Sequence, residues 1–263
     1  MINAFYKKYQ KHFDVSENNF AHFVMWSCGG ICIGFVIGLV GIAFHLALEW
    51  ATEFRTAHPM LLWLLPFGGL AIVLAYRLAG QEKDRGTNFI LVAVRANEAV
   101  TLRTAPLIFF STVVTHLLGG SAGREGAALQ LGGSIASSFG RMFQLNEREG
   151  RIMTMCGMAA GFAALFGTPL TSVIFAMEVI TVGVMHYSAI VPCIISALVA
   201  AGLSQAVGIA PTTFSIAHIP AAVGLENCFR VTVLGVLCAI LSVLFCIVME
   251  HIGGAYRRIF KNP

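Results

Sequence analysis

The sequence is short of charge. Asp, Glu, Lys and Arg make up 11% of its 263 residues, against 57% hydrophobic residues and a mean hydropathy of +0.79. That balance excludes an ordinary soluble domain. Cysteine pattern is lacking too. Cys28, Cys32, Cys156, Cys193, Cys228, Cys238 and Cys246 are scattered, nearly all in apolar runs, with no zinc-site spacing, so they read as small hydrophobes. A nucleotide-binding Gly-rich loop, a catalytic-triad spacing and a metal-ligand cluster are also missing, so no cofactor, metal or catalytic residue is expected. The first twenty residues carry Lys7, Lys8 and Lys11 instead of an apolar core, which excludes a cleavable secretory signal. The net charge of +4 sits in loops and reports orientation, not an acidic partner such as nucleic acid.

What is present is apolar sequence in pieces of unequal length. A first span is expected from about His22 to Trp50, long enough to cross a bilayer at a tilt. A second runs from about Met60 to Ala79, entered through Pro59 and interrupted by Pro66-Phe67-Gly68-Gly69. Shorter, glycine-broken segments follow at about 88–94, 105–118, 125–143, 150–166 and 169–184, and longer ones return at about 188–207 and 230–250. Short helices with polar ends are excluded against lipid and tolerated where they enclose a site, a recurring device of transport pathways. With Lys7, Lys8 and Lys11 inside, the second span brings Lys83 and Arg85 back to the cytoplasm, and Arg257, Arg258 and Lys261 belong there as well. The linker from Gly208 to Asn227 holds no Lys or Arg and reads as outside. A multi-pass protein of the cell membrane is the result.

The stretch Gly119-Gly120-Ser121-Ala122-Gly123-Arg124-Glu125-Gly126 sets an acid and a base among glycines between two apolar runs. A carboxylate in the middle of a membrane helix costs roughly 2.5–3.5 kcal/mol, so it pairs, lines water or works. A helix opening after Gly123 would aim its free N–H groups at the turn and favour an anion there. The alternative reading of the same residues is a structural Arg124–Glu125 pair. Elsewhere, His116 and His186 read as packed or interfacial, Glu98 and Glu178 as solvated or hydrogen-bonded, and Trp26 and Tyr187 as interfacial anchors. An internal repeat is visible at a shift of 201 residues, where Gly34 meets Gly235, Phe44 meets Phe245 and Glu49 meets Glu250.

Two blocks carry a resemblance. Gly123-Arg124-Glu125-Gly126, continued by Gln130-Leu131-Gly132-Gly133, is similar to a GREGP signature. Gly157 to Leu170, with Phe175 and Glu178 downstream, is similar to a glycine-alanine helix meeting a Pro-Leu turn. From about Phe23 to Lys261 the chain resembles the CLC family of chloride channels and proton-coupled anion transporters. The resemblance implies an all-α polytopic membrane protein with an inverted-repeat fold, here the first repeat plus the opening helix of the second. The expected division is a cytoplasmic segment 1–20, a first repeat 21–207, an extracellular linker 208–229, and a helix with a basic tail at 230–263. It further implies a homodimer in which each subunit holds its own pore, with chloride or another small anion, and in coupled members protons, as the species moved.

In that resemblance Glu125 is the external gating glutamate, which occupies an anion site until protonation releases it. Gly123, Arg124, Gly126 and Ala127 form the anion-binding helix start, with Arg124 an electrostatic attractor or anchor. Gly86, Thr87 and Asn88 sit where the family binds the central anion, Thr87 supplying the hydroxyl, although Thr87 or Asn88 equally fits a plain helix N-cap. Departures are visible. Ala127 replaces the signature proline, Asn88 a glycine, Ile90 a proline, and Val179 the second member of an internal Glu-Glu pair begun by Glu178. Thr87 and Arg124 depart from the fluoride-exporting branch, which carries Met and Asn there. No segment after Arg230 supplies the second repeat's share of the anion site, so the chain is expected to be a fragment or to need a complementary polypeptide. The readings are chloride transport gated by Glu125, fluoride export, a non-transporting half dimerising through 169–184 and 188–207, or an intramembrane enzyme pairing Glu125 with His116 or a cysteine.

Overall fold

The computed structural model describes residues 18–81, 92, 100–180, 186–209 and 224–259. Among them every regular element is a helix. Eight α-helices run in order: α1 Asn18–Ala57, α2 Leu65–Leu78, α3 Thr104–Leu117, α4 Arg124–Met142, α5 Glu147–Phe166, α6 Pro169–Ile180, α7 Ile190–Ala206 and α8 Leu225–Ile259. Single 3₁₀ turns at Pro59–Leu64 and Tyr187–Ala189 lead into α2 and α7. Four stretches are long and apolar enough to cross a membrane: Phe23–Ala57, Pro59–Leu78, Tyr187–Ala206 and Leu225–Tyr256. By contrast α3 and α6, with 14 and 12 residues, reach roughly 21 and 18 Å. A hydrocarbon core is about 30 Å thick, so neither spans it.

The chain divides into two compact units, Met1–Thr213 and Phe214–Pro263. In the first, α5 is the centre, buried without interruption from Ile152 to Gly161. Lipid supplies no hydrophobic force to press helices together, so close backbone approach does the work. Gly132 of α4 and Gly157 of α5 lie against each other's backbone carbonyls, and a methyl on Gly161 would sit 2.8 Å from the Ala128 oxygen. The pairs run in opposite order along the two helices, so α4 and α5 are antiparallel. Gly30, Gly34 and Gly38 of α1 face Pro192, Ser196 and Ala200 of α7 in matching four-residue steps, and Gly41 faces Ala164 of α5. Two hydroxyls then tie α7 to α5: Ser196 Oγ donates to the Cys156 carbonyl at 3.0 Å and Ser204 Oγ to that of Ala164 at 2.7 Å. Helices α1, α5 and α7 therefore run parallel in one register.

Local chemistry sets the ends. Asn146 and Glu149 form a reciprocal capping box at the start of α5, and Gly167, at φ 63°, ends that helix in the left-handed region that glycine adopts freely. The expected interruption at Pro66-Phe67-Gly68-Gly69 lies elsewhere. Pro66 sits in the first turn of α2 and the helix continues through both glycines. Proline costs nothing there, because that turn's N–H groups have no intrahelical acceptor. The break precedes it, where the 3₁₀ turn joins α2. Helix α8 starts at Leu225, five residues ahead of the expected 230, with the Cys228 N–H closing on the Gly224 carbonyl at 3.0 Å and Glu226 pairing with Arg230. Trp26, expected as an interfacial anchor, is 8% exposed and packs in the core. Tyr187, 75% exposed, keeps the anchor position.

Gly132→Ala should lower stability by about 1–3 kcal/mol through overpacking, because the new methyl meets the Gly157 backbone. Gly69→Ala, with no atom within 4 Å of its added carbon, should be neutral or slightly stabilising. Thermal unfolding in detergent separates them; equal midpoints would remove the glycine contact from its role.

Candidate functional site

The site is built at the start of α4. Its approach is a tight exit from α3, where the Gly120 N–H donates to the Thr115 carbonyl at 2.8 Å and Gly119 takes φ +82°. A side chain at Gly119 would meet Leu62 Cδ1 at 2.9 Å and Arg55 Cδ at 3.4 Å. The turn therefore rests on the 3₁₀ segment and the last turns of α1. Ser121 and Ala122 then deliver the chain to Gly123.

Gly123 is the N-cap of α4, in extended backbone at φ −73°, ψ 127°, and no side chain caps the helix. By the helical pattern, the Ala127 N–H is the first with an acceptor, the Gly123 carbonyl. The N–H groups of Arg124, Glu125 and Gly126 have none and face the helix entrance, where the dipole is positive. Glu125 is the acid of the first turn. Its Oε2 lies 3.1 Å from the place a Cβ on Gly123 would occupy, so the carboxylate folds back over the cap. Arg124 and Glu125 are both exposed, Gly126 is half-buried, and burial is continuous from Ala127 to Ala136. Arg124 and Glu125 form no ion pair with each other. That removes the observation the structural-pair reading needs.

Gly86, Thr87 and Asn88 lie outside the described residues, as do Glu98 and the loop cations Lys83 and Arg85. The enzyme reading finds no convergence. His116 turns its Nδ1–H to the Thr112 carbonyl of its own helix at 2.9 Å, and Cys156 and Cys193 face each other in the core, sulfurs 3.6 Å apart. Among the described residues no cluster of His, Cys, Asp or Glu could hold a metal. Glu178 is half-buried near the end of α6 and has a bonding partner, and Val179 follows it. Sequence reasoning missed the fold-back of Glu125. Its only signal is a glycine two residues before the acid, at a cap where Ser, Thr, Asp or Asn would be ordinary.

Residues 68–263 match the family model described as voltage gated chloride channel. The chain belongs to this family. CLC membership also makes it a multi-pass membrane protein. The chloride/fluoride channel protein of Pseudomonas syringae pv. tomato is 36% identical over 228 residues, 86% of this chain and 50% of that protein. The H(+)/Cl(-) exchange transporter ClcA of Cronobacter sakazakii is 34% identical over 160 residues, 55% of this chain and 34% of the relative. Among solved structures, a CLC-type fluoride/proton antiporter superposes with a TM-score of 0.79 at 30% identity, covering 95% of this chain and 62% of that one. A slow cyanobacterial Cl−/H+ antiporter gives 0.60 at 21%, over 82% and 54%. The all-α fold is thus the CLC fold in part, for the chain spans about half the length of the curated relative from Pseudomonas.

Gly123→Ala should fold normally, since φ −73° and ψ 127° suit any residue. Its methyl presses on the Glu125 carboxylate and should raise labelling of that group by a water-soluble carbodiimide and an amine, read by mass spectrometry. Unchanged labelling would refute the fold-back.

Proposed function

We propose that this chain carries the gate and one half of the anion cradle of a CLC-type transporter of small anions, with Glu125 as the gate. The observation that carries the reading is the position of that carboxylate. It lies over a glycine cap at an uncapped helix entrance, without an ion pair to Arg124, in a chain of this family. A carboxylate there is a tethered anion. It competes with a free anion for the same N–H donors, and protonation removes its charge and its claim on them. Gly123, Arg124 and Gly126 are the residues assigned to the free anion: two through backbone N–H groups, Arg124 also through its positive field. Ala127 contributes the helix rather than a donor. Gly86, Thr87 and Asn88 remain assigned to the cradle from the resemblance, Thr87 as hydroxyl donor.

Chloride is the first substrate assigned. Fluoride is a second reading with its own support, since the Pseudomonas relative is named for both anions and the solved structure with a TM-score of 0.79 is a fluoride/proton antiporter. Proton exchange is part of the same proposal, with Glu125 as the group that takes the proton; Val179 leaves the internal route without its usual carboxylate. A homodimer is proposed through α6 and α7, whose exposed Leu170, Ile174, Val191 and Leu198 offer apolar surface.

Anion efflux from proteoliposomes tests this, with chloride and fluoride compared, for the chain alone and joined to a second-repeat half. Glu125→Gln, a permanent mimic of the protonated gate, should remove the pH dependence of flux and change its rate at least several-fold. Flux that keeps its pH dependence in Glu125→Gln would overturn the gate assignment. Flux from the joined form alone would support the half-cradle, whereas flux from the chain alone would mean it builds a pathway unaided.

A further inference from the structure

The first unit carries a groove that the anion site does not use. It lies between α2 and α3, has a volume of about 420 Å³, and is lined by Ile72, Ala75, Leu107, Phe110 and Val114, with Arg103 at one end. The helices are antiparallel here. Gly68 lies against Leu118 at one end, while Ala79 of α2 and Arg103 of α3 line the other. The lining runs from Ala71 to Ala79 on α2 and from Arg103 to Val114 on α3, roughly 12 and 16 Å at the helical rise. One leaflet of a hydrocarbon core is about 15 Å deep. The groove is therefore an apolar trough one leaflet long, closed by a single cation at its polar end.

That cation is unspent. Arg103 is exposed and makes no hydrogen bond or ion pair among the described residues, although it stands beside the first turn of α3. Its position is wrong for the helix dipole, since a cation at a helix N-terminus is disfavoured. Tyr76, half-buried in the lining, lies one turn from the same end of α2, where aromatic residues mark the membrane interface. By the orientation read from the sequence, this end faces the cytoplasmic leaflet, which carries the anionic lipids.

We propose that the α2–α3 groove binds one acyl chain of an anionic phospholipid, with the headgroup phosphate on Arg103. Guanidinium and phosphate match as charge-assisted, two-pronged hydrogen-bonding partners, and the trough accepts the chain below them. A zwitterionic lipid satisfies the trough but is held less tightly, because its own ammonium offsets the phosphate.

Native mass spectrometry of the full chain, released from mild detergent after incubation with phosphatidylglycerol or phosphatidylcholine, tests the proposal. The unaltered protein should retain phosphatidylglycerol about fivefold better, the ratio expected for one basic residue near an anionic surface. Arg103→Gln should bring the two lipids level while total retention persists. Ala75→Phe, which fills the trough at an exposed position, should reduce both. A lipid preference that survives Arg103→Gln, retention unchanged in Ala75→Phe, or no lipid retained by the unaltered protein would each overturn it, the last by placing protein over the groove.

Discussion

The structure depends on the backbone contact between α4 and α5. In a bilayer the apolar side chains of two helices gain little by leaving lipid for each other, so packing density and the loss of side chains at the contact decide which helices stay together. Gly132 and Gly157 bring the two backbones to their limit, with Ala128 opposite Gly161 one turn away. Everything on α4 inherits its position from that seam. The carboxylate of Glu125 stands only two turns beyond Gly132, on the same rigid helix, and the ten residues from Ala127 to Ala136 are all buried. A gate that must compete with an ion for three N–H groups has to be placed within tenths of an ångström, and a helix start anchored this closely supplies that.

A second set of contacts fixes α5 itself. The glycines of α1 seat α7, and the hydroxyls of Ser196 and Ser204 fasten α7 to carbonyls of α5 eight residues apart. Each such bond is worth only about 0.6 kcal/mol on average in a membrane protein. Their value is registry, since two bonds at the same offset of 40 residues admit one sliding position. Small residues and hydroxyls thus do here what apolar patterning does in a soluble bundle.

Much of this was legible in the sequence, and the reasons for the rest are physical. Low charge and broken apolar runs gave the class and the helix count, because membrane insertion is read from composition. The start of α4 at Arg124 and the exit of α5 at Gly167 followed from glycine placement. The interruption assigned to Pro66 was misplaced because proline reads the same in the first turn of a helix as at a break, and only the preceding 3₁₀ turn distinguishes them. Trp26 was misassigned since an amphipathic ring suits either an interface or a core, and the facing helices, not the local sequence, decide. The direction of the Glu125 side chain depends on a rotamer over its own cap, which no periodicity encodes.

The exposure of Glu125 constrains what lies against it. Lipid is excluded, since an ionised carboxylate in hydrocarbon without a partner costs a few kcal/mol even by lenient measures, and Arg124 does not pair with it. The helix side of the residue is closed by α4 itself. Only water or a complementary protein surface rich in donors can face the remaining side, and either one makes a polar path at the end of a helix too short and too polar to lie in lipid alone. A site so arranged is half a binding cavity whose second wall must also offer donors to an anion. This is the physical reason the gate and the N–H groups beside it belong to one pathway, whichever polypeptide closes it.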